Sequence, residues 1–145
     1  MERLSRREWA VDIAIAAVIA GVALAEIWVS MVIGLVITNL ILKNWVARIR
    51  PYELIQGLEC IVKKADDYSF PSGHTTAAFA LAMSASLLVA SPTVRLVFLI
   101  LAFGVGFSRV YLAVHYPSDV LAGALIGTSF ALIVHLFMPA LSLIA

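Results

Sequence analysis

Long apolar runs constrain this chain more than any other feature. In lipid, every backbone N–H and C=O must be satisfied within the segment, so a run of roughly 17–25 apolar residues reads as a membrane-crossing helix. Five stretches fit that description: Trp9 to Ala25, Ile27 to about Trp45, Thr75 to Ala90, Val94 to about Leu112, and Val120 to about Phe137. Composition agrees. Of 145 residues, 63% are hydrophobic and 13% charged, with a mean hydropathy of +1.03. A soluble domain carries about 25% charged residues, so this chain has too little polar surface to coat a water-facing globule. The expected fold is an all-α, polytopic transmembrane helical bundle forming a single domain over residues 1–145. It has about five spans, or four if the N-terminal segment does not cross. The lone Cys60 excludes an internal disulfide, and a net charge of +1 without a long basic run excludes nucleic acid as a partner.

The first stretch is ambiguous. Arg3, Arg6 and Arg7 ahead of an apolar core, with Ala23-Leu24-Ala25 behind it, have the outline of a signal peptide. A helix lying in the interface is a further reading. Nothing between Leu24 and Trp28 is a strong turn former, although Glu26 prefers the interface to hydrocarbon. A spanning helix is the favoured reading.

The polar residues that interrupt the spans are not scattered. Lys43 and Arg50 close the second stretch, and Pro71-Ser72-Gly73-His74 open the third. Arg109 lies at the end of the fourth, with His115 and Asp119 at the start of the fifth. Because consecutive spans alternate in direction, these four helix ends share one face of the bilayer. Ionisable groups at membrane depth are expensive and mark function. Lys43 and Arg50 are seven residues apart, which on one helix places them within about 20° of each other and some 10 Å apart, with Pro51 as the stop. Ser72 is a natural N-cap, and Gly73 and His74 then open a helix whose free N–H groups favour an anion. Pro117 suits a first helical turn. It leaves His115 just outside that turn and puts Asp119 within hydrogen-bonding reach of the imidazole.

Three cations beside a helix N-terminus suit phosphate, and two histidines offer a nucleophile and a proton donor. Metal-assisted hydrolysis needs a cluster of ligands, yet only Asp119 lies at the converging ends. No metal or cofactor is therefore expected. An anion-binding transporter and a non-catalytic membrane protein are the competing readings, although the repeated halves common in transporters are absent.

At these positions the sequence resembles the type 2 phosphatidic acid phosphatase superfamily of integral membrane lipid phosphatases. Lys43-Asn-Trp-Val-Ala-Arg-Ile-Arg50-Pro51, Pro71-Ser-Gly-His74, and Ser108-Arg109 followed by His115 and Asp119 match its three signatures in order and spacing, over residues 43–119. The resemblance implies that His115 is the nucleophile, forming a phosphohistidine, that Asp119 fixes its tautomer, and that His74 protonates the leaving oxygen. It also implies that Lys43, Arg50, Ser72, Gly73 and Arg109 hold the phosphate. A lipid phosphate is the implied substrate, of the isoprenoid diphosphate, phosphatidate or phosphatidylglycerophosphate class, and catalysis is metal-free. Many members have six spans, so with five at most this sequence is expected to lack one N-terminal helix of that pattern.

Arg48 reads as a snorkelling anchor, Asp66-Asp67 and Lys63-Lys64 as solvated loop, and His135 as structural. Trp9, Trp28 and Trp45 read as interfacial or packing residues. Family precedent puts the site on the extracytoplasmic face of a multi-pass cell-membrane protein. The positive-inside rule pulls the other way, because with five spans Arg95 is the only Lys or Arg on the opposite face.

Overall fold

The computed structural model describes residues 6–58, 62 and 66–142; Arg3, Cys60, Lys63 and Lys64 lie outside the described residues. The described residues form a helical bundle without strands. Helix α1 runs continuously over residues 6–46, α-helical over Arg6–Val36, π-helical over Ile37–Leu42 and α-helical again over Lys43–Val46. A short turn of helix, α2, covers Pro51–Leu54. Then follow α3 (Gly73–Leu88), α4 (Pro92–Tyr111) and α5 (Pro117–Ser142). By length and composition three segments can cross a membrane: Val11–Leu54, Pro92–Tyr111 and Pro117–Met138.

The first two apolar stretches are thus one helix. No break occurs at Glu26, because its carboxylate is buried and accepts from His135 Nδ1 at 2.8 Å across the bundle. That leaves four long helices. At 1.5 Å per residue α1 extends roughly 60 Å, twice the hydrocarbon thickness. Its N-terminal half is exposed all round (Trp9 58%, Ile13 65%, Ile19 64%), and only the half after Glu26 packs on the bundle.

Helix α3 sits at the centre and touches α1, α4 and α5. Lipid offers no hydrophobic drive between helices, so close approach of small residues does the packing. A Cβ on Gly123 would fall 2.6 Å from the Ser72 carbonyl, and one on Gly127 would fall 2.3 Å from that of Thr76. This Gly-x-x-x-Gly face lets α5 lie directly on the α3 backbone. Phe79 of α3 meets Phe103 of α4 edge-on at 5.1 Å. Along α1 the buried positions are Glu26, Ser30, Gly34, Thr38 and Lys43. The first four are spaced by four residues, and the last interval is five, across the π turn. Five α-helical residues would rotate roughly 500° and leave Lys43 about 140° off that stripe. The wider turn returns it.

Candidate active site

The chain stops α1 earlier than its spacing suggests. Ala47 takes the left-handed conformation (φ 47°), and Arg50 is extended (φ −75°, ψ 152°) ahead of Pro51. A residue preceding proline is pushed out of the α region, so Lys43 and Arg50 do not share a helix face. They meet instead on Asp67. Its carboxylate accepts from Lys43 Nζ and from the Arg50 guanidinium, while Arg50 Nε donates to the Asp67 carbonyl at 2.9 Å. A further Arg50 nitrogen donates to the Val114 carbonyl at 2.9 Å, fixing the guanidinium from both sides. Asp67 is therefore not simply solvated loop. Burial raises its pKa, but hydrogen bonds and charge from Lys43 and Arg50 outweigh burial and hold it below the usual carboxylate range.

Ser72 caps α3 as its sequence position implies. Its backbone is extended and its hydroxyl accepts the Thr75 N–H at 3.4 Å. The Ser72 N–H donates to the Asp119 carbonyl at 3.1 Å, which locks the start of α3 to the start of α5. The N–H groups of Gly73 and His74, in the first turn, have no intrahelical acceptor.

Asp119 is fully buried and serves as the hub of this end. One carboxylate oxygen accepts from Arg48 at 2.7 Å, and the other accepts from the Ser69 hydroxyl and, at 2.9 Å, from the Tyr116 N–H. His115 Nδ1 stands 3.6 Å from that second oxygen, beyond hydrogen-bond distance. Its hydrogen bond goes to the Ser69 carbonyl at 2.8 Å. A carbonyl only accepts, so Nδ1 carries a proton, and in the neutral ring Nε2 keeps its lone pair. Thus Ser69 sets the tautomer directly, with Asp119 supplying negative charge nearby and holding the Ser69 hydroxyl. Arg48 is no lipid anchor. It pairs with Asp119, donates to Ser118 Oγ at 2.7 Å and stacks 3.8 Å above the Tyr116 ring.

The sequence-expected residues converge. Lys43, Arg50, His74, Arg109 and His115, with Asp67, line one cavity of about 200 Å³. Asp119 and Ser72 are buried and do not line it, and Gly73 lines a second hollow that shares Lys43, Asp67 and His74 with the first. Arg109, in the last turn of α4, donates from Nε to Ser108 Oγ at 3.2 Å. His74 is exposed, whereas His115 is 4% exposed. Arg48, Ser69 and Asp67 were not legible as site residues. Arg48 pairs with a carboxylate 71 positions away, and no local spacing signals such a partner. Among the described residues, no three His, Cys, Asp or Glu side chains are grouped as metal ligands.

Fold and site together define an integral membrane helical bundle with a cationic, two-histidine cavity at one end. The chain belongs to the PAP2 superfamily, whose profile matches residues 23–142. It is 38% identical over 95 residues to the bacitracin transport permease protein BcrC of Bacillus licheniformis, covering 66% of this chain and 46% of that one. It is 37% identical over 101 residues to an undecaprenyl-diphosphatase of Sulfolobus acidocaldarius, covering 69% and 48%. The crystal structure of Aquifex aeolicus LpxE superposes with a TM-score of 0.64 at 29% identity, covering 78% of this chain and 64% of that one. The chain spans about half the length of the two sequence relatives.

Proposed function

We propose that this protein is a membrane lipid phosphatase working through a phosphohistidine without a metal, its single domain carrying the chemistry on residues 43–119. One observation carries the reading: three cations and two histidines share one cavity, and the Nδ1 of the buried histidine is already engaged by the Ser69 carbonyl. His115 Nε2 attacks the phosphorus of a lipid phosphate. The bond from phosphorus to the leaving oxygen breaks, and His74 gives that oxygen its proton. Water then attacks the phosphohistidine while His74 takes a proton back, releasing inorganic phosphate and free His115. Lys43, Arg50 and Arg109, with the Gly73 N–H, stabilise the charge spread over the phosphoryl oxygens, the main task in phosphoryl transfer. Asp67 now occupies two of these cations and exchanges them for substrate oxygens.

The substrate class is a lipid phosphomonoester or diphosphate, and the cavity faces the extracytoplasmic side of the cell membrane. The test is phosphate release from a panel of lipid phosphates by purified protein in detergent with EDTA, alongside His115→Ala. Release by the wild type and a loss of at least about a thousandfold in the variant is the expected result. A folded wild type that releases nothing overturns the reading.

A further inference from the structure

The catalytic cavity has a neighbour that the chemistry above leaves unused. A hollow of about 370 Å³ runs down the seam between α1 and α3, lined by Leu35, Asn39, Lys43, Gly73, His74 and Ala77, with Asp67 at its top. Lys43, Asp67 and His74 line both hollows; His115, Arg50 and Arg109 line only the first. In an in-line displacement the leaving group departs opposite the nucleophile. A phosphorus attacked from the His115 side therefore sends its leaving group past His74 into the seam.

The lining of the seam is specific. Asn39 lies four residues before Lys43, in the π-helical stretch of α1, and lines the same hollow. It is exposed between the buried Thr38 and the exposed Leu40 and Ile41, and its side-chain amide has no hydrogen-bond partner among the described residues. An unpaired amide in an apolar helix face is costly at membrane depth. It also lies against the first residue of α3. A Cβ on Gly73 would approach Asn39 Oδ1 to 2.9 Å, so a side chain there would push the amide aside. Leu35 and Ala77 continue the seam below it as apolar wall. The hollow where α3, α4 and α5 meet, lined by Phe79, Phe103 and Phe107, is apolar and touches neither histidine.

Resting on the phosphatase reading, we infer that this seam binds the inner phosphate of a lipid diphosphate, held between Asn39 and Lys43, with the hydrocarbon chain running along Leu35 and Ala77. The terminal phosphoryl group goes to His115 Nε2. The bond between the terminal phosphorus and the bridging oxygen breaks, and its electron pair stays on that oxygen. The inner phosphate then leaves still attached to the lipid. A monoester has only carbon at that position and leaves the Asn39 amide unmatched.

The experiment compares a prenyl diphosphate with the prenyl monophosphate of the same chain, in the purified full chain, as a ratio of kcat/KM. The wild type is expected to favour the diphosphate. Asn39→Leu, which removes one hydrogen bond to a charged oxygen, should reduce that ratio about tenfold. Asn39→Asp should reduce it further, by repulsion. A ratio near one in the wild type, or one unchanged in Asn39→Leu, overturns the inference while leaving the phosphatase reading intact. Binding supplies an arm that needs no turnover. In Asn39→Cys with Cys60→Ser, a prenyl methylene-diphosphonate should protect Cys at position 39 from a maleimide, and the prenyl monophosphonate should not. Equal protection by both, or by neither, overturns the seam as a diphosphate site. If the wild type hydrolyses nothing but the diphosphonate protects selectively, the phosphatase reading falls and the seam stands.

Discussion

Two histidine–carboxylate pairs lie at opposite ends of this bundle, and only one stands in a cavity with cations. At one end Glu26 and His135 are hydrogen-bonded at 2.8 Å, joining α1 to α5. Near them Ser30 Oγ and Ser84 Oγ meet at 2.8 Å, joining α1 to α3. At the other end Asp119 stands 3.6 Å from His115, and the imidazole bonds to a backbone carbonyl instead. The more direct pair is the structural one. Each member of it satisfies the other, and neither lines the catalytic cavity or the seam. The looser pair leaves one imidazole nitrogen free in a hollow ringed by Lys43, Arg50 and Arg109. Proximity of a histidine and a carboxylate therefore says little; what the second nitrogen faces decides the chemistry.

The sharpest break between the two ends is a pair of variants. His115→Ala should lower phosphate release by at least about a thousandfold, and His135→Ala should leave it near wild type. Comparable losses in both would dissolve the distinction. Next in size is Arg48→Ala. It frees one side of the buried Asp119 and lets the Ser69–His115 arrangement shift, with an expected loss of about 10- to 100-fold in kcat and little change in KM. Arg48→Lys should recover only part of it, because a lysine cannot reproduce the planar contact with Tyr116. A KM effect alone would return Arg48 to the role of surface anchor. At the opposite end Glu26→Gln should cost stability rather than rate, about 1 kcal/mol as polar contacts in membrane bundles go. Detergent thermal unfolding reads it, and a fall in turnover at unchanged stability would contradict the structural role.

The smallest effect is the pH response of Asp67. Its carboxyl is held below the usual carboxylate range by Lys43 and Arg50. A depressed carboxyl stabilises the fold above its unfolded pKa and loses that contribution as pH falls through the lower folded value. The tie is thus intact at neutral pH and lost only in strong acid. Replacing Asp67 with Asn should flatten the acid limb of a stability–pH profile and bind inorganic phosphate more tightly at pH 7, since the anion no longer displaces a carboxylate. A profile identical to wild type would mean that Asp67 does not hold the cations in solution.

The site was more legible in the sequence than the bundle around it. Lys43, Arg50, His74, Arg109, His115 and Asp119 announce themselves because ionisable groups are rare in apolar runs and these fall only at helix ends on one face. Their supports do not. Arg48 looks like any cation near a membrane surface, and Ser69 acts partly through a backbone carbonyl that has no sequence signature. Helical phase misplaces Arg50, since the left-handed Ala47 and the proline that follows turn the chain before residue 50. Helix count fails at Glu26 for a related reason. A carboxylate reads as an interface marker until its partner, 109 positions away, is known. The Gly123–Gly127 face, which the sequence analysis does not single out, is what brings Ser72 to Asp119.

The π turn in α1 lets the helix carry an extra residue without moving Lys43 off the face that packs on the bundle. Between Thr38 and Lys43 the helix carries one residue more than its buried stripe requires. Removing any one residue from 39–42 would let ordinary helical winding resume. Every side chain before the deletion would keep its neighbours, and the lysine, four residues past Thr38 instead of five, would fall on the same buried stripe by ordinary winding of about 400°. The segment therefore behaves as an expansion joint. Packing against α3 and α5 fixes the helix below it, the ammonium beside His74 fixes the end above it, and the extra residue is taken up between them.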